Sequence, residues 1–214
     1  MRFQIAALSL AVLAFPARAD VAAEREGILE ALELAPGMVV ADVGAGDGRF
    51  SSVLAQGVGP QGRVYATEVD PKEIEKIESR ARSEGVANLS AVVGSQDHTG
   101  LAAECCDAIL LRLVYHHFTD PAKMRQRLWE AMRPGARLAV IDVPPQKSWR
   151  RLQDVPDRGG HGIEAGELIA EMTGSGFELV RYYESWPAES DAYCLVFRRP
   201  SQGSAAQGAG PARR

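Results

Sequence analysis

The chain is poor in cysteine, in basic charge and in long apolar runs, and each shortage excludes something. Three cysteines in 214 residues are too few for a disulfide-built scaffold. Lysine and arginine number 24 against 28 acidic residues, a formal charge of -4. There is thus no global basic field of the kind nucleic-acid binders rely on. The most apolar stretch, Ile5 to Phe15, is too short for an ordinary transmembrane helix, which excludes a multi-pass membrane protein. No internal repeat is visible between Val21 and Pro200. What is present is 46% hydrophobic and 24% charged residues, the usual mix for a globular domain. Collagen and wholesale disorder do not fit that mix, and the length suits one domain with appendages.

Both ends differ from the middle. Met1-Arg2 carries positive charge, IAALSLAVLAF follows, Pro16 breaks it, and Ala17-Arg18-Ala19 is a small-x-small site. That order predicts a signal peptide over residues 1–19, the alternative being an N-terminal amphipathic helix packed on the domain. A signal peptide implies export to a periplasm or the exterior and a mature chain from Asp20 without a stable membrane span. Cleavage removes two cations and no acids, taking the formal charge from -4 to -6. Residues 201–214, SQGSAAQGAGPARR, are small and aperiodic and are expected to form a disordered tail. One domain is then expected over residues 20–200.

Between these ends, strand and helix patterns alternate. Helices are expected over 21–34, 49–56, 71–83, 120–132 and 163–175. Strands are expected over 38–43, 62–69, 89–93, 107–113, 136–143, 177–184 and 192–198. Asp70-Pro71 and Asp120-Pro121 read as helix starts, with Asp70 an N-cap rather than a ligand. Pro36-Gly37, Gly85, Pro134-Gly135 and Gly176 read as stops. Such alternation predicts an α/β fold, a doubly wound seven-stranded sheet that is mostly parallel. The last two strands have no helix between them and should form a hairpin, leaving the final strand antiparallel. Ligands of such sheets bind at the carboxyl ends of the strands.

The strongest local signal is VVADVGAGDGRF, residues 39–50. Glycines at a strand-to-helix turn let the backbone approach a ligand, and the next helix offers free N–H groups. A dinucleotide fingerprint needs G-x-G-x-x-G. Here the third glycine comes one position early and Arg49 stands where glycine would be required. Asp42 suits an ammonium group better than a pyrophosphate, although it could also cap the turn. Glu68, ending the second strand, can accept from two ribose hydroxyls, and Asp97, after the third, from an adenine amine. Three acids at three strand ends match a nucleoside with an amino-acid arm.

On these residues the chain resembles the class I S-adenosylmethionine-dependent methyltransferases. ADVGAGDG is similar to the family's first motif, YATEVDP to the acidic second-strand motif and GSQD to the adenine-side motif. CDAILLRLVYHHFTDP and LWEAMRPGARLAVID resemble the fourth strand through the fifth. The resemblance implies S-adenosylmethionine as co-substrate. It places Gly44, Ala45 and Gly46 against the methionine moiety and Asp42 near it through water. It assigns Glu68 to the ribose, Val69 to the adenine, and Asp97 to the adenine amine with Gln96 its neighbour. Arg112 and Leu113 should border the transferring methyl.

Methyl transfer from a sulfonium is an in-line displacement with a neutral leaving group, so alignment and exclusion of water dominate. A base is needed only where the acceptor must lose a proton. His116 and His117 are the catalytic candidates, with Tyr115 beside them; a histidine there can equally just shape the loop. No Cys, Asp or His stands at a recognisable ligand spacing from the pair, so no metal is expected. His161, in GGHG, either lines the acceptor pocket or is solvated. Trp149, Arg150 and Arg151 either recognise an aromatic or acidic acceptor or belong to a surface loop anchored by the tryptophan, and the acceptor side should be built from the N-terminal helix and residues 144–162. The cysteine spacing does not support the arsenic methyltransferases, and adjacent Cys105 and Cys106 would make a strained bond. Three outcomes follow: a methyltransferase acting on a small-molecule acceptor, an exported binding protein of the same fold without turnover, or, more remotely, a nicotinamide oxidoreductase.

Overall fold

The computed structural model describes residues 17–149, 153–187 and 191–201. The apolar segment up to Pro16, Arg150, Arg151 and the tail from Gln202 lie outside the described residues. Helix α1 (Ala17–Ala31) precedes strand β1 (Val39–Val43), and its backbone begins ahead of the expected cleavage point after Ala19. Then follow α2 (Arg49–Val58), β2 (Arg63–Glu68), α3 (Pro71–Glu84), β3 (Leu89–Val93) and β4 (Cys106–Arg112). After a short 3-10 turn (Tyr115–His117) come α4 (Pro121–Ala131), β5 (Met132–Asp142), α5 (Ala165–Gly174), β6 (Glu178–Tyr183) and β7 (Tyr193–Arg198).

The seven strands form one sheet in the order β3-β2-β1-β4-β5-β7-β6. The first five are mutually parallel, and β7 runs antiparallel to both β5 and β6. The expected architecture and terminal hairpin are therefore present. The burial follows from position. β7 is covered on both faces for five of its six residues, whereas edge strand β6 exposes four of six. Alternate residues of the central strands feed two cores. Ala41, Ile109, Leu138 and Leu195 pack with Leu128 of α4 and Met172 of α5. Val40, Leu110, Ala139 and Val196 pack with Ile28 of α1 and Leu54 of α2.

The helix starts have identifiable causes. The Asp70 carboxylate accepts from Lys72 N at 2.9 Å, and Asp120 accepts from Lys123 N at 3.0 Å. Each satisfies an otherwise orphaned donor of the first turn. Gly85 closes α3 in the left-handed region at φ 67°, where glycine has no Cβ penalty.

One boundary differs from the sequence expectation. Pro134-Gly135 does not separate α4 from β5, because β5 starts at Met132, directly on the end of the helix. Met132 pairs with Cys106, but the next partners are Arg137 and Ala108. The extra residues between them form an irregularity in the ladder. Proline lacks the donor for regular pairing, and Gly135 at φ 86° turns its N–H to Arg199 O at 2.7 Å.

Candidate functional site

The carboxyl ends of β1, β2 and β4 surround a cavity of about 280 Å³. Its walls include Gly44 from the glycine turn, Glu68 and Val69 after β2, Gln96 and His98 after β3, and Val114 and His117 after β4. Gln153 and Val155 approach from the segment before α5. The volume lies near the lower end of the range for small-molecule sites.

The glycine turn is shaped by backbone conformations that disfavour side chains. Gly44, Gly46 and Gly48 all have positive φ, at 73°, 54° and 76°. Gly44 N and Ala45 N both donate to Thr67 O, at 3.0 and 3.1 Å, tying the turn to β2. Glu68 ties it again: its carboxylate accepts from Gly46 N at 2.7 Å and Val69 N at 2.9 Å. A carboxylate has about four lone-pair sites, so capacity remains for further donors from the cavity. Glu68 and Val69 thus both line the cavity.

Asp42 is placed differently. It is buried, does not line the cavity, and accepts from Ser51 Oγ at 2.6 Å. Burial raises its pKa to about 6 despite lowering contributions from the Ser51 hydrogen bond and the Arg112 charge, with Glu68 and Asp47 adding to the rise. The unfolded reference is about 3.9. Between these values the folded chain holds the extra proton, so this contribution to stability is complete below about pH 4 and lost as pH rises through about 6.

Asp97, expected on the adenine amine, is not among the residues lining the cavity. Its carboxylate pairs with Lys123 Nζ and accepts from Ser95 Oγ at 2.7 Å, contacts that hold its pKa down at about 2. Gln96, its neighbour, lines the cavity instead. Arg112 and Leu113 do not line it either, and Val114 does. The Arg112 guanidinium is bidentate on Glu24 of α1, at 2.7 and 3.1 Å, and lies 4.5 Å over the Phe50 ring. Leu113 adopts φ 53° as the chain leaves β4.

The histidines have distinct surroundings. His116 is buried, and its Nδ1 lies 2.6 Å from Asp142 Oδ1 at the end of β5. His117 opens onto the cavity. Desolvation, then His116 and His161, lower its pKa to about 4, which leaves the ring neutral and weakly basic. Tyr115 is sequestered: it is buried, its hydroxyl donates to Glu171 Oε2 at 2.5 Å, and Arg125 donates to it at 2.8 Å. Burial and Glu171 push its pKa up, which removes it as a base at neutral pH. His161 and Trp149 share a second depression with Lys147 and Asp157, their rings 5.3 Å apart. Asp142 and Glu24 were not singled out from sequence. A carboxylate closing an apolar strand, as in AVID, was the available signal for Asp142.

A family model described as a methyltransferase domain matches residues 34–179. Among curated proteins, an arsenite methyltransferase of Halobacterium salinarum is 25% identical over 74% of this chain and 44% of its own length. A ubiquinone/menaquinone biosynthesis C-methyltransferase, UbiE, of Haemophilus ducreyi is 26% identical over 69% of this chain and 67% of its own. The chain therefore spans less than half of the first relative and about two thirds of the second. Among solved structures, a SAM-dependent methyltransferase of Aquifex aeolicus superposes with a TM-score of 0.72 at 22% identity, covering 86% of this chain and 94% of that one. The [4+2]-cyclase SpnF superposes with a TM-score of 0.70 at 16% identity, covering 89% and 85%.

Proposed function

The chain belongs to the methyltransferase-domain family, and on that premise we propose that it transfers a methyl group from S-adenosylmethionine to a small-molecule acceptor outside the cytoplasm. The observation that carries this reading is Glu68. Its carboxylate stands on the cavity wall, braced by Gly46 N and Val69 N, at the point where β2 ends beside the glycine turn. A nucleoside fits there, its ribose hydroxyls donating to Glu68 and its base against Val69 and Gln96. The positive-φ glycines keep the turn free of side chains where the amino-acid arm would pass. The bound co-substrate supplies an electrophilic methyl on sulfur. The chain's part is to hold that group in line with the acceptor and exclude water.

The acceptor side is read from His117, Gln153 and Val155, which line the same cavity as Glu68. Among the described residues no inserted substrate domain interrupts the alternating elements, which supports specificity set by short loops. Relatives are named for arsenite, quinone and L-isoaspartate substrates. None of the three free cysteines lines the cavity, which favours an organic acceptor over arsenite. Export rests on the charged, apolar and small-residue order of residues 1–19. Among the described residues, no helix is long and apolar enough to cross a membrane.

Calorimetric titration of the full chain with S-adenosylmethionine is expected to give saturable binding. Glu68→Ala should weaken it by about tenfold or more, the scale of lost hydrogen bonds to a charged group. A folded wild type that evolves no heat would remove the proposal. Formation of S-adenosylhomocysteine with an acceptor separates turnover from binding alone.

The same titration has an expected pH profile. Asp42 does not line the cavity, so the ligand's ammonium group would favour its ionised form through water; its pKa in the free protein is about 6. Affinity should therefore fall as pH drops below that value, approaching about tenfold per pH unit. Asp42→Asn should flatten this dependence; an unchanged profile in that variant would detach Asp42 from the ligand.

A further inference from the structure

We propose that His116, His117 and His161 form a binding site for a divalent transition-metal cation of the zinc type. One ring nitrogen from each lies within 4.8 Å of the others. The pair at 116 and 117 and the third member at 161 are far apart in sequence, so ligand spacing alone argued against a metal. The fold reverses that argument by laying the glycine loop before α5 over the 3-10 turn after β4.

His116 is the most constrained member. Its Nδ1 faces Asp142 Oδ1 at 2.6 Å, and Asp142 is fully buried and also accepts from Val143 N at 2.8 Å. A buried carboxylate behind an imidazole fixes the tautomer and aims the other nitrogen, the arrangement that supports metal-bound histidines. That other nitrogen, Nε2, is buried without a hydrogen-bond partner. A buried polar atom left unmade is costly, and a cation at this position would satisfy it. The His116 ring centroid lies 4.3 Å from that of His117 and 4.7 Å from that of His161.

His117 Nε2 and His161 Nε2 are 3.3 Å apart. A tetrahedral ion with metal–nitrogen bonds of about 2.0–2.1 Å has nitrogen–nitrogen edges of about 3.3–3.4 Å. The widest separation in the triad is bounded at 4.8 Å, so a side-chain rotation of up to about 1.5 Å is what a bound ion requires, and His117 is the exposed member, on the cavity side. His161 is held by its backbone: Gln146 N donates to His161 O at 2.8 Å, and His161 N donates to Gln146 O at 3.2 Å. The flanking glycines permit this approach. A Cβ on Gly160 would lie 3.0 Å from the Pro145 backbone, and one on Gly162, at φ 131°, would lie 2.5 Å from Val143 O. Three imidazoles suit zinc, cobalt, nickel or copper rather than magnesium or calcium, which take oxygen donors. Three protein ligands leave a fourth position for water or another donor. His117 also lines the cavity that Glu68 borders, so the cation would sit beside whatever occupies that cavity. The metal site does not depend on the methyl-transfer reading.

The test is titration of the full chain, without a polyhistidine tag and stripped with chelator, using Co²⁺ and then Zn²⁺. Expected is one cobalt ion per chain with the intense visible absorption of a tetrahedral site, bleached by one equivalent of zinc. His161→Ala should abolish that spectrum, and Asp142→Asn should weaken binding by about 10- to 100-fold. Wild type that binds neither ion saturably would overturn the proposal. So would a folded His161→Ala chain that binds cobalt as wild type does. Should His161→Ala lose its far-UV spectrum, His117→Ala carries the same comparison.

Discussion

Gly44→Ala is expected to destabilise the protein by about 3 kcal/mol, combining a left-handed backbone with overpacking. Its φ of 73° already disfavours any Cβ. The added methyl would also overlap Val114 Cγ2 and lie 3.0 Å from Val114 Cβ. Valine cannot turn out of the way, because its branch point is itself too close and its χ1 is stiff. Gly46 supplies the control. It also has positive φ, 54°, but a Cβ there meets nothing within 4 Å. Gly46→Ala should therefore cost only about 1 kcal/mol, the conformational share alone. Urea midpoints at a shared slope measure both. Equal losses would mean that close approach to Val114 is not what Gly44 provides. Since Val114 lines the cavity, Gly44→Ala should also weaken S-adenosylmethionine binding more than Gly46→Ala does.

These two glycines illustrate what was legible in the sequence. The order of elements was readable because each announces itself locally: an apolar run, a glycine turn, Asp-Pro at a helix start. The strand ends then place Gly44 and Glu68, from the ADVGAGDG and YATEVDP stretches, on the cavity. Pairings between distant side chains were not readable. Asp97 stands after β3 as expected, but its carboxylate pairs with Lys123 of α4, and nothing local in GSQD signals that lysine. Arg112 ends β4 as expected, yet it answers a glutamate 88 positions earlier. His161 reaches His117 across 44 positions. The start of β5 at Met132 was missed for another reason. Pro134-Gly135 has the chemistry of a turn, and only the partner strand shows that those residues are accommodated as an irregularity in the ladder.

The Arg112–Glu24 pair yields the second large effect. Glu24 keeps 3% of its side-chain exposure and Arg112 24%, so α1 carries a carboxylate into a region where water cannot solvate it. Arg112→Met should cost about 3 kcal/mol, because removing one partner strands the other's charge in the interior. Glu24→Leu combined with Arg112→Met should recover most of that loss, since an apolar pair of similar volume does not require desolvating two ions. A double-mutant cycle in urea gives the coupling; additive losses would show that the pair is not what docks α1. Hydrogen exchange should locate the single variant's defect in α1, which would loosen before burying an unpaired carboxylate. The guanidinium has a second role that the same variants expose. Its charge is among the influences holding the Asp42 pKa down. In both Arg112→Met backgrounds that carboxyl should titrate above its present value of about 6. The pH at which S-adenosylmethionine affinity begins to fall should move upward with it. An unmoved pH profile alongside a full stability loss would confine Arg112 to docking the helix.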